Sequence, residues 1–153
     1  MTLKDKLLAQ KIYLLLGALF ITSLVVSNLI FQKFFYWYPF NIEIFGSKLF
    51  EVSVGILPYP VTFLITDLIS EIYGKKRANQ IVIGGIFAAF FSLLIVYTAN
   101  AVSATSWSPV NDSLFTTVFS NTMIAVFASM MAYLLAQLVD IQIYHFWKRI
   151  TKG

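Results

Sequence analysis

The sequence predicts an all-α fold, a polytopic transmembrane helix bundle of about four spans with a cytoplasmic N-terminus. Hydrophobic residues make up 59% of the chain and charged residues only 12%, whereas soluble domains average roughly 45–50% and 25%. Four apolar stretches each approach the ~20 residues with which an α-helix crosses the hydrocarbon layer. Because 153 residues allow one compact unit and not two, we expect a single integral membrane domain, 1–153.

The predicted spans cover residues 12–31, 52–73, 81–103 and 121–147. A signal peptide is the competing interpretation of the first stretch, but the apolar run is too long and no small-residue cleavage pattern follows it. The second stretch is irregular because it holds Pro58 and Pro60 near its start. Proline lacks an N–H donor and crowds the preceding turn, so this helix should break or begin late.

The basic residues predict the orientation of the chain in the membrane. They cluster before the first span, after the second and after the fourth, as Lys4, Lys6 and Lys11, then Lys75, Lys76 and Arg77, then Lys148, Arg149 and Lys152. With the N-terminus inside, all three clusters lie in the cytoplasm, as the positive-inside rule expects. The net charge of +4 is therefore a topology signal, and we expect no direct contact with nucleic acid.

The first external loop begins with aromatic residues at positions 34–38, which are typical of an interfacial belt. After it, Ile42–Phe45 and Leu49–Val52 flank Gly46-Ser47. Partial alternation around a Gly-Ser turn predicts a short external β-hairpin. On the third span, Gly84-Gly85 and Ala88-Ala89 put small residues four apart, a pattern typical of close helix packing.

Two acidic residues in the second span are the first candidate site residues. Asp67 and Glu71 are four apart and share a helix face, with Thr66 and Tyr73 nearby. A carboxylate at mid-membrane costs roughly 2.5–3.5 kcal/mol on insertion scales, so it is by default a functional-site hypothesis. The alternative is structural: Glu71 can form an ion pair with Lys75 or Arg77 at the cytoplasmic end.

Polar residues of two other spans complete the candidate set. Gln137 and Asp140 lie three apart near the cytoplasmic end of the fourth span, and Asn28 lies in the first. Contact of Asp140 with a basic cytoplasmic residue and interhelical hydrogen bonding by Asn28 are the structural alternatives. We interpret His145 as an interfacial residue near Trp147, without a catalytic role.

The sequence argues against an enzyme and against a resident cofactor. There are no cysteines and one histidine, so neither a disulfide framework nor a typical zinc site is expected. The Gly-x-Gly-Asp stretch of an intramembrane aspartyl protease does not occur, and neither does the Gly-x-x-x-x-Gly-Lys-Ser/Thr nucleotide cradle. We therefore expect no catalytic residue, no cofactor and no metal.

The polar residues occur in a recognisable order. The second span carries Pro60-x-Thr62-x-x-x-Thr66-Asp67-x-x-x-Glu71-x-Tyr73-Gly74, followed by basic residues and Ala78. The first span has Ser27-Asn28, and the fourth has Ala132-Tyr133 and Gln137-x-x-Asp140. Together these residues resemble the signature of the VUT family of queuosine precursor transporters, over essentially the whole chain.

The resemblance implies import of 7-cyano-7-deazaguanine or its aminomethyl counterpart, for tRNA modification, across the bacterial inner membrane. It implies substrate contacts by Asp67, Glu71, Asp140, Gln137, Asn28, Thr66 and Tyr73. The family is six-spanning and this chain has four predicted spans, so we expect an incomplete unit. Its partners are then the missing C-terminal spans or, for a shortened form, other chains in a homo-oligomer, besides the lipid bilayer and the 7-deazaguanine substrate.

The chemistry of a deazaguanine agrees with these residues. Its ring N–H and exocyclic amino group are adjacent donors, which one carboxylate can accept as a bidentate pair. Aromatic rings such as Tyr59, Phe63 or Tyr73 can stack on the base. Two other classes of function stay open: a membrane substrate-binding subunit of a multi-component transporter, and a non-transporting structural membrane subunit.

Overall fold

The computed structural model describes residues 3–36, 51–120 and 123–151. In these ranges the helices are α1 (Leu3–Ile30), α2 (Tyr59–Tyr73), α3 (Lys75–Asn100), the short α4 (Asp112–Phe115) and α5 (Met123–Ile150), and the strands are β1 (Phe34–Tyr36) and β2 (Glu51–Ser53). Four helical segments of the described chain are long and apolar enough to cross a membrane: Leu3–Ile30, Val54–Tyr73, Lys75–Asn100 and Val126–Ile150. The predicted all-α polytopic bundle is confirmed.

The helices extend beyond the apolar stretches that predicted them. Helix α1 begins at Leu3 and α3 at Lys75, several residues before the expected starts near 12 and 81, and α5 continues to Ile150. Hydropathy detects only the part of a helix that lies in hydrocarbon. The backbone hydrogen-bonding pattern continues into the interfacial layer, where lysine side chains are solvated.

The second span is broken near its start, as the two prolines predict. A 3-10 turn at Val54–Ile56 precedes α2, which begins at Tyr59. Pro60 lies in the first turn of α2, where its missing N–H costs no helical hydrogen bond. The 15 residues of α2 extend about 22 Å, which is short of the ~30 Å hydrocarbon core. The turn must therefore complete the crossing.

The 3-10 turn is fastened to the end of α1. The Ser27 hydroxyl donates to the Gly55 carbonyl, and the Ser53 hydroxyl donates to the Phe31 carbonyl. A Cβ at Gly55 would lie 2.8 Å from the Phe31 Cβ, so glycine permits this close approach. These contacts fix the outer end of the second span against the first.

Helices α2 and α3 are joined at a single residue. Gly74 has φ +84°, a conformation that residues with a Cβ rarely adopt, and α3 starts directly after it. Helix α2 packs against α1, α3 and α5, and α3 also contacts α1 and α5. Among the described residues, α2 and α3 each therefore contact the other three long helices.

The core and the outer surface of the bundle are both apolar. Phe20, Leu24, Ile69, Val82 and Met130 are buried. Large apolar side chains on the outside of each long helix are exposed, for example Leu14, Leu64, Phe87 and Leu135. A helix that is apolar on all sides is typical of a membrane span.

One of the small residues of α3 is a close-packing position, as the sequence predicts, and the helix that packs on it is α1. Gly85 and Ala89 are buried, and a Cβ at Gly85 would lie 2.5 Å from a ring carbon of Phe20. A Cβ at Gly84 would meet no atom within 4 Å. Of the two adjacent glycines, only Gly85 is needed for the close packing of α1 on α3.

The short sheet differs from the predicted hairpin. Strands β1 and β2 pair antiparallel, with Phe34 opposite Ser53 and Tyr36 opposite Glu51. The predicted strand Ile42–Phe45 and the turn Gly46-Ser47 lie outside the described residues. Within the described chain, the partner of β2 comes from the aromatic segment that the sequence assigned only to an interfacial belt. Aromatic residues favour strands as well as interfaces, which explains the difference.

Candidate functional site

Polar side chains are buried between α2 and α5. Thr62, Thr66 and Ser70 follow one another at intervals of four on α2, and all three are at most 2% exposed. Tyr133 and Gln137, also buried and four apart, lie on α5. Residues at this spacing share one helix face. We call this interface, with His145 included, the α2–α5 seam.

Two hydrogen bonds between described residues cross the buried part of the seam, besides those of Glu71 at its exposed end. The Thr66 hydroxyl donates to the Phe63 carbonyl at 2.9 Å and accepts from Gln137 Nε2. Further along, Ser70 Oγ lies 2.8 Å from His145 Nε2. Both contacts join side chains that are more than 70 positions apart in sequence. The seam is therefore a tertiary feature that local sequence patterns show only in part.

Gln137 leaves one strong acceptor without a partner. The side chain is 0% exposed, and its Oε1 has no hydrogen-bond partner among the described residues. The orientation of the amide follows from Thr66, whose hydrogen is already donated to a backbone carbonyl. An unsatisfied buried carbonyl costs about 1–3 kcal/mol, so this atom is suited to accept a hydrogen bond from a bound molecule.

An aromatic cluster lies at the outer end of the seam. The ring of Tyr133 is 5.4 Å from the ring of Tyr59 and 6.0 Å from that of Phe63, centroid to centroid. Tyr59 also lines a cavity of about 330 Å³, together with Asn28, Ser53 and Ser129. Tyr59 thus lines the cavity and also contacts Tyr133 of the seam.

The two aspartates of the candidate set lie on two helices that pack together, Asp67 on α2 and Asp140 on α5. Asp67 and Asp140 are both half-buried and close enough to interact electrostatically. Asp67 directly follows Thr66, and Asp140 is three residues after Gln137. Like charges held in a low-dielectric setting favour a cation or a set of hydrogen-bond donors between them. The structure therefore brings four sequence-predicted residues together: Thr66, Asp67, Gln137 and Asp140.

Glu71 is in an ion pair, but not with the partners considered from the sequence. Its carboxylate accepts from Lys148 Nζ at 2.7 Å and from the Tyr144 hydroxyl. Lys75 instead donates to Gln142 Oε1, and the Arg77 guanidinium lies 5.0 Å from the Tyr13 ring centroid. Lys75 follows Glu71 by four positions, but α2 ends at Tyr73 and α3 begins at Lys75, so the two residues do not share a helix face and side chains of α5 pair with Glu71 instead. Glu71 is exposed at this end of the seam.

Tyr73 and Asn28 are far from each other. The Tyr73 hydroxyl donates to the Ala9 carbonyl at 2.7 Å, whereas Asn28 lines the outer cavity. Ala9 and Asn28 are 19 residues apart on α1, which is about 28 Å at 1.5 Å per residue. One small molecule cannot contact both side chains at once. The Asn28 Nδ2 is buried and has no partner among the described residues.

His145 makes a contact that the sequence analysis did not predict. It is half-buried, and its Nε2 is within hydrogen-bond distance of Ser70 Oγ across the seam. The signal was its spacing, because His145 follows Gln137 by eight residues and therefore shares its helix face. Within the described ranges, no three His, Asp or Glu side chains lie close enough to bind a metal ion together.

Comparison with known proteins gives one match. The model of a family described as "Putative vitamin uptake transporter" matches residues 53–153, which include α2, α3, α5 and every residue of the seam. No curated protein and no solved structure matches the chain. The match covers more than half of the chain and agrees with the four candidate membrane spans. The chain is a multi-pass membrane protein, and it belongs to this family of uptake transporters.

Proposed function

We propose that the chain imports a queuosine precursor, a 7-deazaguanine base, across the bacterial inner membrane for tRNA modification. Membership of an uptake transporter family supports the transport of a small molecule. The observation that carries the choice of substrate is the set of acceptors on α2 and α5: Asp67 and Asp140, which are close enough to interact electrostatically, and the buried, unsatisfied Gln137 carbonyl. Three acceptor groups thus belong to the two helices that form the seam.

The donors of the base complement these acceptors. One aspartate accepts the ring N–H and the exocyclic amino group as a bidentate, charge-assisted pair. Gln137 Oε1 accepts a further donor. The aminomethyl precursor is a cation, and the second aspartate stabilises its charge. Tyr59 or Phe63 stacks on the base, an interaction of roughly 1–3 kcal/mol.

The other candidate residues have positions that suggest separate steps of transport. Asn28 lines the outer cavity, and we assign it to the first contact with the entering base. Glu71 pairs with Lys148 at the opposite end of the seam, and Tyr73 ties α2 to α1. We assign these two to the cytoplasmic exit, where opening requires their contacts to change.

A vitamin is the second candidate substrate, since the family description names vitamin uptake. Many vitamins are also small heterocycles that carry hydrogen-bond donors. The two candidates separate in a direct assay, because only the first restores a tRNA modification. Copurification with an ATPase would indicate instead a substrate-binding subunit of a multi-component transporter.

The test uses bacteria that neither synthesise deazaguanine precursors nor contain an importer for them. They express this chain and receive either precursor at low external concentration, and queuosine in tRNA is measured. We expect queuosine to be restored by the native chain and lost with Asp67→Asn. The matched control is Asp112→Asn, which removes the same charge from an aspartate that accepts from the Ala104 N–H outside the seam.

Binding to the purified chain is measured in parallel by calorimetry. If neither precursor binds and no queuosine appears, although the chain is present in the membrane, the proposal is wrong. If a vitamin then binds, and its binding depends on Asp67, a vitamin replaces the queuosine precursor as the proposed substrate. If a precursor binds but is not transported, the proposed substrate is kept, and the chain acts as a subunit that needs further spans or partners.

A further inference from the structure

A second cavity lies at the end of the bundle where the basic clusters meet. It has a volume of about 300 Å³ and is lined by Lys6, Ala9, Gln10, Tyr13, Tyr73 and Arg77. These residues come from the start of α1 and from the junction of α2 with α3. The cavity is therefore separate from the seam, which is built from α2 and α5.

The walls of this cavity are held by cross-helix contacts. Tyr73 donates to the Ala9 carbonyl at 2.7 Å, and Tyr13 donates to the Arg77 carbonyl at 3.3 Å. The Tyr13 and Tyr73 rings are 5.3 Å apart. The Arg77 guanidinium lies 5.0 Å from the Tyr13 ring centroid, within the range of a cation–π contact. Arg77 is thus oriented by its neighbours before any ligand arrives.

The lining has the charge and the donors of an anion site. Lys6 and Arg77 supply two positive charges, Gln10 supplies an amide, and neither Asp nor Glu is among the six lining residues. The nearby carboxylate of Glu71 is occupied by Lys148. A guanidinium fork beside an ammonium matches the oxygens of a phosphate group.

The position of the cavity indicates that the phosphate group it would bind belongs to a lipid. The contacts of Tyr73 with Ala9 and of Glu71 with Lys148 put the basic residues near the starts of α1 and α3 and the end of α5 on one side of the membrane. By the positive-inside rule this side is cytoplasmic, where anionic lipids concentrate. Leu14 follows Gln10 by one turn on the same face of α1 and is 61% exposed, so an acyl chain has an apolar surface beside the headgroup.

We propose that this cavity binds the phosphate of an anionic phospholipid from the cytoplasmic leaflet. The proposal does not depend on which substrate is transported. Lipid bound here contacts α1, α2 and the start of α3 together, and it stabilises the end of the bundle at which α2 turns into α3.

The test is native mass spectrometry of the purified chain with phosphatidylglycerol and phosphatidylcholine at equal concentrations. We expect about 30-fold more phosphatidylglycerol than phosphatidylcholine to be retained, on the scale of two basic residues at a membrane surface. The variant Lys6→Gln/Arg77→Gln should reduce this preference to less than about twofold. The matched control Lys4→Gln/Lys11→Gln removes the same charge from exposed residues at the same end and should keep the preference.

Three results would overturn the proposal. The first is equal retention of the two lipids by the native chain. The second is an equal loss of preference in the control variant, which would indicate surface charge without a site. The third is displacement of phosphatidylglycerol by millimolar inorganic phosphate, which would indicate a site for free phosphate.

A milder variant covers the case in which the double variant does not fold. Arg77→Lys keeps the charge but removes the guanidinium fork and its stacking on Tyr13. We expect a partial loss of preference, with a melting temperature in phosphatidylcholine equal to that of the native chain. An undiminished preference in Arg77→Lys would exclude the oriented guanidinium from the site and contradict the proposal.

Discussion

Two helix–helix contacts of this bundle use different chemistry. Between α1 and α3, Phe20 and Leu24 pack on the backbone of Gly85; this part of the interface is apolar, whereas Tyr13 and Arg77 make a polar contact near the start of α3. Between α2 and α5, hydroxyl, amide and imidazole groups meet. Lipid chains are as apolar as leucine, so helices in a membrane associate through close packing and hydrogen bonds. The contact of α1 with Gly85 relies on close packing, and the α2–α5 seam relies on hydrogen bonds.

This difference in chemistry indicates which interface has a function in addition to holding two helices together. Interhelical hydrogen bonds in membranes average only about 0.6 kcal/mol, whereas an unsatisfied buried carbonyl costs about 1–3 kcal/mol. A seam that buries such a carbonyl in Gln137 beside two aspartates is a poor solution for stability alone. The contact of Phe20 and Leu24 with Gly85, in contrast, is explained by close packing. Substitutions should therefore affect stability at the first interface and binding at the second.

The largest effect is expected at Gly85. In Gly85→Leu the new side chain overlaps the Phe20 ring, which already lies 2.5 Å from the position of a Cβ, and overpacking typically costs about 1–3 kcal/mol or more. We expect a large fall in melting temperature in detergent and a low yield of folded protein. Gly84→Leu is the matched control, since a Cβ there meets no atom within 4 Å. Equal losses for both variants would show that Gly85 is not a packing contact.

The next effect is on binding, at the aspartates of the seam. Asp67→Asn and Asp140→Asn each remove one charged acceptor, and hydrogen bonds to charged groups contribute about 1.5–3 kcal/mol. We expect about 10- to 100-fold weaker binding of a 7-deazaguanine base by calorimetry, with the melting temperature of the ligand-free chain unchanged or raised as the repulsion between the aspartates is relieved. A fall in stability without any change in affinity would make the pair structural.

A smaller effect is expected from the hydrogen bond at the centre of the seam. Thr66→Val, Gln137→Leu and the double variant form a cycle that isolates the contact between Thr66 Oγ1 and Gln137 Nε2. We expect a coupling free energy of unfolding near the membrane average of about 0.6 kcal/mol and no more than about 1.7 kcal/mol. A coupling several times larger would mean that the seam is a main source of stability, contrary to the comparison drawn above.

Local patterns predicted the helices and some of the close contacts. A run of about twenty apolar residues allows little besides a membrane helix, and the prolines at 58 and 60 predicted the late start of α2 at Tyr59. The small residues of α3 likewise predicted a close-packing face, although not that α1 packs on it. These features depend on neighbours in sequence, which is why the sequence alone was sufficient.

Contacts between segments that are distant in the sequence were harder to predict. Glu71 was compared with basic residues four and six positions away, yet its partner is Lys148 of α5, because the relative rotation of two helices is set by the whole bundle. His145 was missed for the same reason. Its spacing from Gln137 was visible, but only the packing of α5 against α2 shows that this face is buried. Pairing across helices is therefore the part of the site that required a structure.

The smallest effect is expected at Glu71, and it sharpens the contrast with Asp67. Glu71→Gln removes the ion pair with Lys148. The side chain of Glu71 is 56% exposed and that of Lys148 is 32% exposed, and ion pairs that are accessible to solvent contribute little to stability and are screened by salt. We expect a slight fall in melting temperature that disappears at high salt, with affinity for the base retained. Lys148→Gln, which breaks the same pair from α5, should match it. If Glu71→Gln instead abolishes binding as Asp67→Asn does, the substrate reaches the exposed end of the seam, and the binding surface includes both acids of α2.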